Sequence, residues 1–418
     1  MRDKIRVAVV GGGTGGLCLA HGLCRAGVEV AVYERSRTRT ERLQGYRVHI
    51  DPNGSAALHE CLPPSAWARF LATTGTSAGG FAFVTEQLRE LAVLEAKPDV
   101  DPAASHHSAS RISLHQVLSS GLDGILWHDK QFVRYESGPK GVGLHFADGT
   151  TAEADLVVGA DGANSRVRAQ LLPHAARADT GIVGIAGKFP LTAGSRQLVP
   201  ERLAIGPNLV LPPAGCGMFT APHEFPESSE NDDTFALDPV LFDNTAGYVM
   251  WVYAARTARF PAGLPELDGP GLRAVVLDRI HGWHPAFSRL VADSPDATVC
   301  VLPIRTSVPV APWETGPVTL LGDAAHSMTP FRGIGANVAL RDAQLLCRAI
   351  SRGGDVRAAV AGYERQMRDY GYKAVRASAR SADRFVTESR LLRTFSRGGF
   401  AAMGRASRLR KKLIGARG

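Results

Sequence analysis

The sequence predicts an α/β fold: a parallel-sheet domain assembled from separated segments, a mainly antiparallel β domain inserted into it, and a helical C-terminal segment. Three observations carry this reading. An apolar, β-branched run, Ile5 to Val10, leads through a glycine turn into helical spacing and returns to strand character at Val28 to Tyr33. Two further short apolar runs, Ala154 to Val158 and Pro317 to Gly322, stand far downstream, as strands of one buried sheet do. Between them, residues 176 to 297 are rich in Pro and Gly with scattered strand patterns, the style of a separate antiparallel domain.

Taken in order, Leu17, Leu19, Ala20, Leu23 and Cys24 recur at helical spacing over residues 14 to 26 and complete a β-α-β unit of about 30 residues. A strand is expected at 46 to 50, a helix at 53 to 61, short strands near 80 to 84, a Pro/Ala/Ser/His loop at 98 to 110 and a helix at Ser113 to Ser119. Residues 125 to 158 read as strands punctuated by the Ala147-Asp148-Gly149 turn. Gly247 to Ala255 is the clearest strand of the insert, and a helix follows from Ala336 to Ser351. Residues 355 to 418 are Ala/Arg-rich and helical in period. The resulting division gives 1–75, 98–175 and 298–351 to the cofactor domain, 76–97 and 176–297 to the substrate domain, and 352–418 to the helical segment and its basic tail.

Composition narrows the function classes. Of 418 residues, 44% are hydrophobic, and 48 Lys and Arg face 40 Asp and Glu for a net +8. Seven of those cations and no acid lie in residues 397 to 418, so the remaining chain is nearly neutral and no broad nucleic-acid face is expected. The tail reads as a solvated helix end; with Leu409, Leu413 and Ile414 as its large apolar residues, stable membrane insertion is not expected. The absence of a long apolar run, and an opening that enters a strand within a few residues of Met1, predict a cytoplasmic protein. Six dispersed cysteines predict reduced thiols, and His106 and His107 lack a third ligand in sequence reach, so no metal is expected. No Ser/His/Asp elbow or Cys/His pair suggests hydrolase chemistry.

Gly11-x-Gly13-x-x-Gly16 stands where the first strand yields to a helix, and Glu34 ends the second strand 18 residues after Gly16. In that context Gly11 permits the tight turn, Gly13 admits a pyrophosphate to the helix N-terminus, Gly16 permits close packing, and Glu34 can accept from a ribose hydroxyl. Two further constellations follow: Gly159-Ala-Asp161-Gly162-Ala-Asn-Ser165-Arg166, and Gly322-Asp323-Ala-Ala-His326 continuing through Pro330 and Gly333-Ile-Gly335-Ala336-Asn337.

These three motifs, in this order over residues 11 to 343, resemble those of the single-component FAD-dependent aromatic hydroxylases, the para-hydroxybenzoate hydroxylase-like class A flavoprotein monooxygenases. The resemblance covers roughly residues 5 to 375 and implies a three-layer FAD/NAD(P)-binding Rossmann-like domain with an inserted β substrate domain. It implies FAD contacts from Gly11, Gly13, Gly16, Glu34, Arg35, Arg111, Asp161, Asp323, Gly335, Ala336 and Asn337, with Asp323 on the ribityl chain and Asp161 near both FAD and the nicotinamide donor. The backbone of Pro330, Gly333, Gly335 and Ala336 would lie beside the isoalloxazine, where Gly333 and Gly335 permit close approach and the uncapped amides of the next helix can face an anionic ring. Ile334 departs from the family, many members of which carry Gln there. His326, between a tight turn and a proline, is read as structural rather than as a base.

The implied function is NAD(P)H-consuming hydroxylation, with NADPH or NADH as co-substrate, of an aromatic or polyketide-like small molecule through a flavin hydroperoxide formed from dioxygen. Trp251, Tyr253 and Pro330 are the expected substrate contacts. Trp251 and Tyr253 share one face of their strand and Met250 and Val252 the other, and ordinary sandwich packing competes with the substrate role for either face. Baeyer-Villiger or epoxidising chemistry on the same scaffold, and a non-oxygenating redox sensor or interaction module, are the alternatives. Monomer and homodimer are both open.

Overall fold

The structure, a computed structural model, describes residues 5–37, 47–75, 79–95, 101–139, 141–224 and 247–415, with side chains through residue 409. The strands in chain order are β1 (Arg6–Val10), β2 (Glu29–Tyr33), β3 (Arg47–Ile50), β4 (Phe81–Val84), β5 (Glu90–Leu94) and β6 (His107–Ser110). Then come β7 (Leu126–Trp127), β8 (Phe132–Gly138), β9 (Gly141–Phe146), β10 (Thr151–Ala154) and β11 (Leu156–Gly159). The last six are β12 (Arg177–Pro190), β13 (Asn208–Val210), β14 (Cys216–His223), β15 (Tyr248–Arg256), β16 (Cys300–Ser307) and β17 (Val318–Leu320).

The parallel sheet runs β17-β11-β1-β2-β7 and so joins the three apolar runs singled out in the sequence. Strands β1, β11 and β17 are buried almost throughout, in one core with helices Thr14–Arg25 and Gly335–Ser351 and the antiparallel sheet β10-β9-β8. Val9, Leu17, Val32, Val157 and Leu340 are all fully buried in that shared core. This is the expected three-layer arrangement.

The second large sheet, β16-β12-β15-β14-β13-β4-β5, is antiparallel except where β13 pairs with β4. Two differences from the sequence reading have plain causes. β16 pairs with β12 from Arg177↔Ser307 to Ala186↔Cys300, so the substrate sheet extends past residue 297 before the chain returns to the cofactor domain. Helices Gly269–Arg279 and Pro285–Ala292 lie within the insert expected to be strands. The first has Asp268 accepting from Gly271 N–H with Pro270 in the first turn, the second His284 Nδ1 accepting from Ala286 N–H ahead of Pro285. Val276, Phe287 and Leu290 of these helices bury one face of the sheet, against Ile185, Phe189, Val249, Trp251 and Tyr253. The other face is left for the site.

The C-terminal segment forms two helices, Val356–Phe385 and Arg390–Gly415.

Candidate active site

The site is assembled at the ends of the parallel strands. Gly11 follows β1 with φ +111°, and a Cβ there would stand 2.4 Å from the Ala160 carbonyl oxygen. A Cβ on Gly16 would meet the Gly11 carbonyl oxygen at 2.2 Å. These two glycines let strand, turn and helix approach as closely as they do. Gly13 differs: a Cβ there meets nothing within 4 Å, so its freedom serves what lies outside the chain. The helix it opens has no side-chain cap and no acid in its first turn, which leaves its amides and positive dipole end to an anion. Glu34, at the end of β2, accepts from Gly12 N–H at 2.7 Å and from Ser36 N–H at 2.8 Å, so its carboxylate is fixed beside the turn. Arg35 is exposed and has no ion pair among the described residues.

Asp161 behaves partly as a turn residue: its Oδ2 accepts from Arg166 N–H at 2.7 Å and Val167 N–H at 3.3 Å, starting helix Arg166–Leu171. Its Oδ1 is buried with no partner. Arg111 opens helix Arg111–Ser119, is exposed into the cavity and has no ion-pair partner among the described residues.

Asp323 follows Gly322, which has φ +63°, and its side chain is exposed at the cavity wall. Beneath it lies a buried polar cluster. Asp342, fully buried, accepts from Gly322 N–H at 2.8 Å and pairs with His326 Nε2 at 2.7 Å, and the Tyr370 hydroxyl also donates to it. Burial alone would lower the His326 pKa, but attraction to Asp342 and the hydrogen bond between them outweigh it and raise the pKa above the usual imidazole range. His326 is turned away from the cavity into this cluster, in keeping with a structural role.

Helix Gly335–Ser351 also starts with neither side-chain cap nor first-turn acid, directly after Gly333 at φ +61°. The Asn337 side chain is engaged with the protein: it donates to His49 O at 2.8 Å and accepts from Asp51 N–H at 2.9 Å. Its backbone amide is what remains for the cofactor contact expected there. The side chain instead ties the β3 edge to the glycine turn.

One cavity of about 1170 Å³ joins these parts. It is lined by Gly13–Gly16, Arg111, Asp323 and Pro330–Gly333 with Gly335 and Ala336 at one end, and by Met250, Val252, Ala254, Phe219 and Phe385 on the substrate-sheet side. Trp251 and Tyr253, expected to contact substrate, are not in its lining. They are 0% and 3% exposed on the opposite face, and Trp251 Nε1 donates to Ser294 Oγ at 2.8 Å. The period-two alternation holds, but helices Gly269–Arg279 and Pro285–Ala292 cover the Trp251 and Tyr253 face and leave the Met250 and Val252 face to the cavity. Pro330 lines the cavity.

Arg47, outside the three sequence motifs, is a further contributor. It lines the cavity, its Nε donates to Ser108 Oγ at 2.7 Å, and no carboxylate pairs with it among the described residues. Burial pushes it down to about 10, so it remains a cation at neutral pH. Ser108 Oγ is hydrogen-bonded to His223 Nδ1 at 3.2 Å, and burial with the Arg47 and Lys188 charges pushes His223 down to about 3. This end of the cavity therefore holds the Arg47 cation, fixed by a Ser108 hydroxyl that is itself hydrogen-bonded to the buried His223 imidazole.

The residues fit FAD: open space at Gly13, a Glu34 carboxylate fixed beside the glycine turn, an orphaned buried oxygen on Asp161 and two uncapped helix starts facing one cavity. Fold and site together define a two-domain dinucleotide-binding flavoprotein. Residues 9–72 match the NAD(P)-binding Rossmann-like domain model and residues 298–378 the FAD binding domain model. The chain is 32% identical over 357 residues to 3-amino-4-hydroxybenzoate 2-monooxygenase of Streptomyces platensis, covering 82% of this chain and 79% of that protein. A crystal structure of an FAD-containing monooxygenase from Photorhabdus luminescens aligns with TM-score 0.82 and 35% identity over 92% of this chain and 99% of that one. The chain spans 40% of a dual O-methyltransferase/FAD-dependent monooxygenase of Phaeosphaeria nodorum, at 29% identity over 82% of its own length. The chain belongs to the FAD-dependent monooxygenases, oxidoreductases that use FAD with NAD(P)H as co-substrate.

Proposed function

We propose that the protein hydroxylates the ring of a small aromatic acid, consuming NAD(P)H and dioxygen. The observation that carries this reading is the continuity of the cavity from the dinucleotide glycines to an apolar sheet face. Sites for one drug-sized ligand measure about 300–1,000 Å³, so this volume accommodates the flavin end of FAD and a substrate together. FAD, when bound, accepts a hydride from NAD(P)H and activates dioxygen. The chain's residues do the remaining work. Gly13, Glu34, Asp161, Asp323, Gly335 and Ala336 hold the cofactor by backbone amides and carboxylates, while Met250, Val252 and Phe219 exclude water from the reacting ring. Arg47, held by Ser108, orients an anionic group of the substrate. The Streptomyces relative is named for a hydroxybenzoate, a ring that carries both features.

The test is mass spectrometry of products formed under labelled dioxygen from a panel of hydroxybenzoates, neutral phenols and aromatic polyketides. One labelled oxygen per product is expected, with ring acids preferred. Product oxygen from water would reject monooxygenation, and NAD(P)H oxidation that no compound accelerates would favour a non-oxygenating flavoprotein. Arg47→Met should raise KM for a ring acid about ten- to a hundred-fold, the worth of a charge-assisted hydrogen bond, at unchanged FAD content. An equal KM would remove Arg47 from substrate binding.

A further inference from the structure

We propose that helix Arg390–Gly415 docks the protein on an anionic lipid surface, lying along the surface without crossing the bilayer. The helix has two apolar faces with different partners. On the inner face, the Phe400 ring stacks on Phe83 with centroids 3.8 Å apart, and Gly404 packs so closely that a Cβ would stand 2.2 Å from the Leu91 carbonyl oxygen. Arg393, 2% exposed, donates to Phe385 O at 2.6 Å and Cys216 O at 3.1 Å, and Arg397 pairs with Glu86 at 3.2 Å. The helix is therefore fixed on the sheet edge, and its outer face is held in one orientation.

That outer face carries Leu391, Leu392, Phe395, Met403 and Leu409, with Leu391 73% and Phe395 76% exposed. At 100° per residue they fall in a sector of about 120°, opposite the inner-face residues, and they extend over about 27 Å of helix. Exposed Leu and Phe in such a row mark an interaction surface rather than scattered surface residues.

Charge identifies the occupant. Residues 390 to 418 hold nine Lys and Arg and no Asp or Glu, so the rest of the chain is close to neutral and the molecule's positive charge is concentrated on this segment. Arg390, Arg405 and Arg408 are exposed; Arg405 flanks the apolar row, and Arg408 lies 3.8 Å from Glu90 of the sheet. A second copy would set one all-basic helix against another. A nucleic-acid backbone would attract the cations but offer Leu391 and Phe395 nothing apolar to enter. A bilayer with anionic headgroups satisfies both, since a basic amphipathic helix buries its apolar row at the headgroup boundary. No helix among the described residues is long and apolar enough to span a membrane, so the contact is along the surface. The site lies close by: Phe83, under Phe400, touches Phe81 at 5.3 Å between centroids, and Phe81 lines the active-site cavity. Docking would hold this cavity wall close to the bilayer surface. This reading replaces the solvated one expected from sequence.

The test is flotation of the full-length, FAD-loaded protein with vesicles of phosphatidylcholine alone or of phosphatidylcholine mixed with phosphatidylglycerol. Co-flotation only with the phosphatidylglycerol vesicles, and its loss at high salt, is the expected result. Leu391→Glu combined with Phe395→Glu should weaken partitioning about tenfold or more, at unchanged FAD content and melting temperature. Arg390→Glu combined with Arg405→Glu should weaken it while leaving the apolar row intact. Absence of flotation on anionic vesicles, or equal flotation on neutral ones, overturns the proposal. So does a dimer in light scattering that the Leu391/Phe395 variant dissociates, because the row would then be an interface between copies.

Discussion

The two ends of the cavity are built by different means. At the cofactor end, backbone does the work: glycines at Gly11, Gly13, Gly16 and Gly333, uncapped helix starts, and single carboxylates at set places. At the substrate end, side chains on one face of a sheet do it, and the same strand sends Trp251 and Tyr253 into a core and Met250 and Val252 into the site. A backbone requirement restricts residue type so tightly that it leaves a motif. A side-chain surface need only be apolar and of suitable shape, so it leaves alternation and no mark saying which face is which.

The sharpest way to break this contrast is within the glycine turn itself. Gly16→Ala sets a Cβ 2.2 Å from a carbonyl oxygen, whereas Gly13→Ala sets one in open space. The first should lose both the native fold and FAD. The second should keep a native circular dichroism spectrum and melt cooperatively while purifying colourless, because only the ligand is obstructed. If both variants retain flavin, the backbone reading of this end is wrong.

On the sheet, Trp251→Ala should cost about 3–5 kcal/mol of stability, as large-to-small changes in a packed core do, and leave the order of substrate preference unchanged. Val252→Ala, one residue away on the cavity face, should change preference at little cost in melting temperature. A reversal of these two outcomes would exchange the assigned faces.

Those faces mark where legibility ended. The β-α-β unit, the strands that return at 156 and 318, and the helix after Gly335 could be read because each requires a glycine or an unbroken apolar run at one place. The helices at 269–292 were hidden by a Pro/Gly-rich context, although Asp268 before Pro270 and His284 before Pro285 are start signals. Without those helices, nothing showed which side of Gly247 to Ala255 would be covered. The side-chain partners of Asn337 were hidden for a related reason: the family motif indicates its neighbourhood, but Asp51 and His49 lie 286 and 288 residues earlier in the chain.

A smaller effect is expected from Asp323→Ala. The exposed Asp323 carboxylate faces the cavity rather than a protein partner, so its removal should leave the fold intact. FAD affinity should fall about ten- to a hundred-fold, the contribution of a charge-assisted hydrogen bond of about 1.5–3 kcal/mol. Titration of apo-protein with FAD measures this directly, and an unchanged Kd would remove Asp323 from the cofactor site.

The smallest effect separates the two ends by pH. At the substrate end, burial pushes His49 down to about 4 and His223 to about 3, so both are neutral in the folded protein at pH values where the unfolded chain binds protons. Their contribution falls as pH drops below the ordinary value of about 6.5. At the cofactor end the sign is opposite. His326 has a raised pKa beside Asp342, so the folded protein holds that proton more tightly than the unfolded chain does. Its contribution is complete below about pH 6.5 and is lost as pH rises through the folded-state value, at no more than about 1.4 kcal/mol per pH unit. Melting temperature should therefore peak near neutrality. His326→Gln, which keeps a donor toward Asp342 but cannot titrate, should flatten only the alkaline limb. His223→Gln should flatten only the acid limb. If His326→Gln leaves the alkaline slope as steep as in the wild type, the pair beneath Gly322 carries no proton-linked stability, and its role reduces to holding the Gly322 amide and the turn that presents Asp323.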